Sequence, residues 1–427
     1  MRRRIATIQD VAERHLCCGC GVCEFAQPDD ISMVDDLQVG RRPVVREGAD
    51  TALALSCCPG IELGHEVELG PDVDPRLLAG WGPVLEVWEG HAVDEKIRFS
   101  GSSGGVATAL GLHGLRDGWA GGVIHIRQRH DVPVLNETVM STNRDDLLRG
   151  SGSRYAPASP CDGLGKAVEA TRPVAFIGKP CDVAAAQKAQ REVPGLEEKL
   201  AVTIAIFCAG APSTAGTIEM LEALGVDDPS DVGELRYRGN GWPGRAAVRM
   251  RTGGQERSLS YEESWGGLLQ KHRPWRCRLC IDHTGEFADL AVGDPWYREI
   301  EPGEAGSSLV VVRTERGRRY LAEAVQSGHL DVHRVPNELL PESQPNLLQT
   351  RGAVWGRLTA SRLIGLPTPT FHEMPTFRHW IRELTIRQKA SSVGGTVRRV
   401  LKRGLHRRRE VRPIDEATMS AWTVDRT

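Results

Sequence analysis

The sequence predicts an α/β protein: a mixed α/β core, preceded by a small irregular segment rich in cysteine and followed by a basic helical tail. Three observations carry this. Between about residues 80 and 340, apolar runs of strand length alternate with helix-period segments across short connections. Ahead of them, Cys17, Cys20 and Cys23 stand in a C-x2-C-x2-C run with little regular pattern around it. Beyond Pro336, prolines 341, 345, 367, 369 and 375 mark loops, and residues 377–412 are strongly basic. A chain of 427 residues can bury a large core and divide into several units, read here as 1–75, 76–340 and 341–427.

Composition narrows the class. Apolar residues make up 40% and charged residues 26%, as in ordinary globular proteins. A formal charge of −2 gives no ground for nucleic-acid binding. The basic start, Met1-Arg2-Arg3-Arg4-Ile5, is not followed by an apolar stretch of signal-peptide type. The longest apolar stretch, residues 201–212, is too short to span a bilayer. A soluble, cytoplasmic protein is expected. In that reducing compartment eleven cysteines point to metal rather than disulfides. Ten tryptophans outnumber both tyrosine and phenylalanine and offer stacking surfaces for a flat cofactor.

The elements follow in order. Residues 84–88 alternate as a strand. Small residues around Ser102, Ser103, Gly104 and Gly105 lead into a helix ending near Arg116. Ser102 or Ser103 is placed to cap it, and its free N–H groups suit a phosphate or a flavin edge; taken singly, the loop reads as a plain helix cap. A buried strand is expected at 122–126. Residues 174–178 form a strand ending in Lys179-Pro180-Cys181-Asp182, with a helix at about 183–191. Residues 202–207 form another, ending in Cys208, with a helix at about 214–224. Both strands deliver a cysteine to the carboxyl edge, where open α/β sheets collect ligands. A turn-rich loop then presents Trp242, Cys277 and Cys280 form a C-x2-C pair, and Asp294 either orients a ligand or caps a turn, the turn being favoured. A strand at 309–313 and a helix at 315–326 close the core. In the tail, Trp380, Ile381, Leu384, Val397, Val400, Leu401 and Leu405 recur near helical spacing, and Gly394-Gly395 is expected to divide it into two helices. The tail reads as a solvated extension packed on its own domain, or as a helix docking on a membrane surface or partner.

The cysteines define the chemistry. Three thiolates at the spacing of Cys17, Cys20 and Cys23 wrap one face of a 4Fe–4S cube, with Gly19 and Gly21 allowing tight turns. The alternative is a structural zinc loop, although zinc sites usually use two separated pairs. Bacterial ferredoxins continue with C-x3-C-P; here Gln27 replaces that cysteine ahead of Pro28, so the segment looks like half a ferredoxin closing one cluster. Its fourth ligand is expected from Ser56-Cys57-Cys58-Pro59-Gly60, with Cys58 preferred over Cys57 for its Cys-Pro context. With Cys18, Cys57 and Cys161 set aside, the remaining thiols are Cys181, Cys208, Cys277 and Cys280. These could meet at one sheet edge as a second 4Fe–4S site, or as a four-cysteine zinc site.

The ordered motifs Cys-x2-Cys-x2-Cys, Cys-Pro-Gly, Ser-Ser-Gly-Gly-Val-Ala-Thr-Ala-Leu, Ser153-Arg154-Tyr155, Gly-Lys-Pro-Cys-Asp, Gly-Trp-Pro-Gly, Cys-Arg-Leu-Cys-x-Asp and Ala-Asp-Leu-Ala-Val-Gly-Asp resemble the coenzyme F420 hydrogenase/dehydrogenase beta-subunit family. That family includes 7-hydroxymethyl chlorophyll a reductase. The resemblance covers about residues 10–330 and leaves the tail outside. It implies FAD with one or two 4Fe–4S clusters, and places the flavin near Ser102–Gly105 and Ser153, Arg154 and Tyr155. Lys179 would lie close and face a reduced flavin or a phosphate; Lys179 and Asp182 are the candidate catalytic residues. The implied function is electron passage between clusters and FAD, with hydride transfer to or from coenzyme F420 or a similar organic substrate. The alternatives are a ferredoxin-dependent reductase of a CH–OH or C=C bond, and a non-catalytic electron-transfer subunit. The implied partners are ferredoxin, reduced coenzyme F420 or a hydrogenase/dehydrogenase subunit, in an oligomer or larger complex.

Overall fold

Eight strands build one twisted sheet: β1 (Glu86–Ala92), β2 (Val123–Gln128), β3 (Asn136–Ser141), β4 (Val174–Gly178), β5 (Leu200–Ile206), β6 (Leu290–Gly293), β7 (Ser308–Val312) and β8 (Leu330–Val335). The computed structural model describes residues 5–65, 70–301 and 303–422. The basic start at residues 1–4 lies outside them. The strand order is β8-β1-β7-β6-β5-β4-β2-β3. The central run β6-β5-β4-β2 is parallel, with Ile204 opposite both Leu290 and Ile177, and Ile124 opposite Phe176. The remaining neighbours pair antiparallel. Val174, Ala175 and Phe176 of β4 and Leu309–Val312 of β7 are fully buried, which explains why these strands read as unbroken apolar runs rather than alternating ones.

Helices cover both faces. The helices α1 (Val106–Arg116) and α4 (Glu315–Gln326) share one apolar cluster through Val106, Leu110, Tyr320 and Leu321. On the other face α2 (Pro180–Glu192) buries Val183, Ala185, Ala186 and Ala189. A third helix, α3 (Thr214–Ala223), packs instead on a three-stranded antiparallel sheet formed by residues Val232–Arg236, Arg245–Met250 and Glu256–Ser260.

The cysteine-rich segment and the tail are packed together. The tail helices are α5 (Leu347–Leu363), α6 (Phe377–Glu383) and α7 (Ile386–Lys402). Residues Thr370–His372 pair in parallel with Glu62–Gly64. Arg408 reaches Asp10 and Glu13, and Arg409 forks onto Asp36 at 2.7 and 3.0 Å. Two of the tail's arginines thus have specific acidic counterparts in the first segment. Among the described residues no helix is long and apolar enough to cross a membrane.

The expected break at Gly394-Gly395 does not occur, because α7 runs straight through it. The helices divide at Leu384–Thr385 instead. Thr385 and Gln388 form a reciprocal capping box, each side chain accepting from the other's backbone N–H, at 3.2 and 2.8 Å. The tertiary contacts of Ser392, Thr396 and Val400 hold the helix through its glycines, overriding their weak propensity.

The tail is anchored in the core by Arg351 of α5. Its guanidinium, 1% exposed, is paired with Glu286, equally buried, and takes carbonyls of Gly80 and Ile281 at 3.3 Å. His65 adds a second bond to Glu286 at 2.9 Å. Burial alone would raise the Glu286 carboxyl, but Arg351 and then His65 outweigh it and hold it at about 2. An unfolded glutamate titrates near about 4.3, so the ionised carboxylate contributes roughly 3 kcal/mol that is complete above that pH and lost as pH falls toward the folded value. Arg351→Met is expected to lower stability by about 3–5 kcal/mol at neutral pH, by stranding a buried charge. In urea titrations from pH 7 to acid, the gap between wild type and variant should narrow as Glu286 protonates.

Candidate functional site

A cavity of about 610 Å³ opens at the carboxyl ends of the parallel strands. Ile126, Gly178, Ile206 and Gly293, each at or near the end of its strand, form its floor with the start of β7 at Ser308. This is the edge at which parallel sheets leave room between diverging loops. Its volume is that of an ordinary small-molecule or cofactor site.

One wall is the loop into α1. Gly105, not a serine, is the residue ahead of the helix; its φ of +72° is the left-handed conformation that glycine adopts freely. The expected serine cap is therefore corrected. Ser102 accepts a hydrogen bond from the Ser153 N–H at 2.5 Å, and Ser103 meets the Ser308 hydroxyl at 2.8 Å. Both serines are spent on fixing the loop, so the first turn of α1 has no side-chain cap, and Val106, Ala107 and Thr108 line the cavity. Gly104 lies so close to β1 and β7 that a Cβ would stand 2.6 Å from the Gly90 carbonyl and 2.8 Å from the Ser308 nitrogen.

The opposite wall is the start of α2. Lys179 places its ammonium 2.6 Å from Asp182, whose carboxylate also accepts the Lys179 N–H at 2.8 Å. Asp182 is fully buried, and burial lifts its carboxyl to about 6 against the pull of Lys179. Burial opposes the charge on Lys179 too, but Asp182, followed by Cys181, raises it, so the lysine keeps its proton.

Aromatic rings form a further part of the lining. Tyr155 and Trp265 meet at 4.8 Å, and Tyr261 stacks on Trp296 at 5.7 Å. Arg238 orders them: it forks onto Asp294 at 2.9 and 2.5 Å and lies 4.8 Å from the Tyr261 ring centre. The Trp242 indole N–H also reaches Asp294, at 2.8 Å. The turn-cap reading of Asp294 is thus replaced by a buried ion pair, a role invisible in sequence because Arg238 lies 56 positions away. Arg154 touches the cavity, but its guanidinium is committed to the carbonyls of Leu235 and Pro133 at 2.8 and 2.9 Å and to Asn136, making it a structural strut.

The thiols fall into two groups, and Cys208 of the second lines the cavity. Cys23 lies in the field of Cys17 and Cys58, and Cys58 in that of Cys18 and Cys17. Gly19 donates to the Cys17 sulfur at 3.3 Å and Gly60 to Cys58 at 3.4 Å. Cys57 sits apart, facing Ser56. The Cys20 thiol is within hydrogen-bond reach of those of Cys161 and Cys18. In the second group Cys208 and Cys280 each lie in the field of Cys277, Cys280 also in that of Cys208, and Gly210 donates to the Cys208 sulfur at 3.3 Å. Cys181 lies between the groups, its nearest thiol partner being Cys18. Spacing alone passes over Cys18; its one signal is the doubled Cys17-Cys18. Burial pushes Cys58, Cys208 and Cys280 up to about 12, a state that nearby positive charge must offset before thiolates form. Arg276 supplies such a charge to Cys17, Cys18 and Cys280, and sequence reasoning misses it as well. Its position next to the C-x2-C pair is the available clue.

A mixed α/β sheet with its ligand cleft at the carboxyl edge of the parallel strands and Cys208 in the cleft's lining defines the class of fold and site. The chain belongs to the coenzyme F420 hydrogenase/dehydrogenase beta-subunit family: the family's model of the N-terminal part of that subunit matches residues 87–164, and its model of the C-terminal part matches residues 171–338. Among curated relatives, the coenzyme F420 hydrogenase subunit beta of Methanosarcina barkeri (strain Fusaro / DSM 804) is 25% identical, over 60% of this chain and 82% of that protein. The coenzyme F420 hydrogenase subunit beta of Methanococcus voltae is 24% identical, over 65% of this chain and 95% of that protein. The coenzyme F420-dependent sulfite reductase of Methanocaldococcus jannaschii is 23% identical, over 73% of this chain and 46% of that protein. In fold, the chain resembles part of the structure of the F420-reducing [NiFe] hydrogenase complex from Methanosarcina barkeri, with a TM-score of 0.53, 22% identity, and coverage of 67% of this chain and 95% of the matching one. These relatives are oxidoreductases or their subunits.

Because the Gly104 Cβ position is filled by backbone, Gly104→Ala is expected to destabilise the fold by about 1–3 kcal/mol. Gly165, in a short helix with open space around it, is the control: Gly165→Ala should raise stability by about 0.4–1 kcal/mol. Chemical denaturation of both variants checks the contrast.

Proposed function

We propose that this protein is an iron–sulfur flavoprotein oxidoreductase that passes electrons between 4Fe–4S clusters and FAD, with hydride transfer to or from coenzyme F420 or a similar organic substrate. The observation that carries the reading is the shared wall: Cys208, Lys179 and Asp182 line the same cavity, and Cys181 lies beside Lys179. The residues fit a flavin. The uncapped turn of α1 offers N–H groups to a phosphate or ring edge, and Tyr155, Tyr261, Trp265 and Trp296 offer flat apolar faces.

The thiols fit clusters better than zinc. Four thiolates on one zinc at about 2.3 Å stand about 3.8 Å apart. Among the described residues no three cysteine sulfurs lie within 4.8 Å of one another; the gathering that meets this spacing is His113, Asp117 and His329 at the far end of α1. Backbone N–H bonds to the sulfurs of Cys17, Cys58 and Cys208 are the kind that stabilise cluster thiolates. Cys17, Cys23 and Cys58 would hold one cluster, completed by Cys20 once its thiol swings from Cys161 and Cys18, and Cys208, Cys277 and Cys280 the other, completed by Cys181 once it leaves Cys18.

A bound flavin exchanges hydride with organic partners and single electrons with clusters. The chain's own residues do the rest. Lys179, oriented by Asp182, keeps a fixed positive charge on the cavity wall, which favours a reduced, anionic ligand. The aromatic part of the lining, ordered by Arg238 and Asp294, would shield a bound ring from water. Electrons would arrive from or leave to ferredoxin, reduced coenzyme F420 or a partner subunit.

Anaerobic purification followed by iron, acid-labile sulfide and flavin quantification tests the reading. A brown protein containing flavin, iron and sulfide is expected, and Cys58→Ser should remove about half of the iron while Cys57→Ser removes little. A colourless zinc-loaded protein without flavin would contradict the proposal.

A further inference from the structure

The far end of α1 meets the turn after α4 in a group of side chains remote from the thiols. His113 and Asp117 stand one helical turn apart on the same side of α1, and His329 lies in the turn between α4 and β8. Asp117 Oδ2 is 2.7 Å from His113 Nδ1 and 2.8 Å from His329 Nε2. Each residue offers one ligand atom, and the three atoms lie within 4.8 Å of one another. Backbone bonds hold the three in place. The Asp117 N–H donates to the His113 carbonyl at 2.9 Å and the His329 N–H to the Ala324 carbonyl at 3.0 Å. The His329 carbonyl in turn accepts from the Val93 N–H at 3.1 Å. None of the three residues lines the cavity.

Hydrogen bonding alone accounts poorly for this group. The His113 side chain is 0% exposed, and its Nε2 is buried without a partner. A neutral ring that directs its one N–H to Asp117 therefore keeps an unsatisfied nitrogen in the interior, which costs stability. Both imidazoles also crowd onto a single carboxylate oxygen. Among the described residues no lysine or arginine forms an ion pair with Asp117. Two helix ends add negative character, since Asp117 is the C-cap of α1 and His329 lies just beyond the end of α4. The carbonyls left at such ends favour a cation.

We infer that His113 Nδ1, the Asp117 carboxylate and His329 Nε2 form a binding site for a divalent metal ion of the zinc class, which clips α1 to the end of α4. Two imidazoles and a carboxylate suit zinc and its transition-metal neighbours, whereas calcium and magnesium take oxygen ligands. Ligands at about 2.0–2.1 Å on tetrahedral zinc stand about 3.3 Å apart, so these side chains open by only about 0.5 Å to admit it. Coordination at Nδ1 supplies free energy for holding the buried ring that one hydrogen bond does not. Asp117 is exposed, which gives the ion a way in from solvent and leaves a position for water. The clip fixes the far end of the helix whose first turn lines the cavity. It is independent of the oxidoreductase reading.

Two measurements on the full, anaerobically purified chain test it. First, wild type and the double variant Asp117→Asn/His329→Gln are equilibrated with zinc, desalted, and their zinc counted by elemental mass spectrometry. Wild type should retain about one zinc more per chain than the variant. Zinc held by cysteine thiols adds equally to both and cancels. Both replacements keep polar side chains of similar size, and thermal melts without zinc confirm that the variant folds. Equal retention overturns the site. Second, wild-type crystals grown with zinc are measured on both sides of the zinc absorption edge, which separates zinc from iron and needs no variant. A zinc peak about 2.0–2.1 Å from His113 Nδ1, His329 Nε2 and an Asp117 oxygen is expected. Zinc peaks at cysteines alone, or none, overturn the site even if the retained zinc differs between the two proteins.

Discussion

The arrangement depends on one buried cation, Arg276. Its guanidinium is 3% exposed and donates to the carbonyls of Gly60 and Pro59 at 3.0 and 2.9 Å. Those carbonyls follow Cys58, whereas Arg276 itself precedes Cys277. A single side chain therefore fastens the first thiol group to the second across more than two hundred positions of sequence. It also lowers the cost of negative charge on Cys17, Cys18 and Cys280. A lysine could supply the charge but not two directed N–H bonds from one plane.

Around that fixed point the remaining parts have clear physical jobs. The parallel strands bring Lys179, Asp182 and Cys208 to one edge. The glycine loop, held by Ser102 and Ser103 rather than capped by them, keeps the start of α1 open. The tail closes over the core through Arg351 and Glu286 and returns to clasp the first segment through Arg408 and Arg409. The cysteine-rich segment, too small and irregular to carry a large core of its own, is thus held from two sides.

What the sequence made legible was local. The apolar runs of β4, β5 and β7 and the helix over Glu315–Gln326 could be read because burial on both faces or a helical period marks consecutive residues. Cysteine spacing likewise identified most of the thiols the fold gathers. What escaped was set by distant partners. Asp294 reads as a turn residue until Arg238 is beside it, and Ser102 as a cap until the Ser153 N–H claims it. Gly394 and Gly395 look like breakers until tertiary packing holds the helix through them. Cys18 and Cys20 turn toward neighbours that no spacing rule foretells.

The central claim is that the thiol groups and the cavity form one electron path. An anaerobic titration of the purified protein with reduced coenzyme F420, followed by visible absorbance and low-temperature electron paramagnetic resonance, tests it most directly. The account predicts that flavin absorbance bleaches and that a reduced iron–sulfur signal grows in the same titration. Bleaching of the flavin while the clusters stay oxidised, although a strong chemical reductant reduces them, would contradict it.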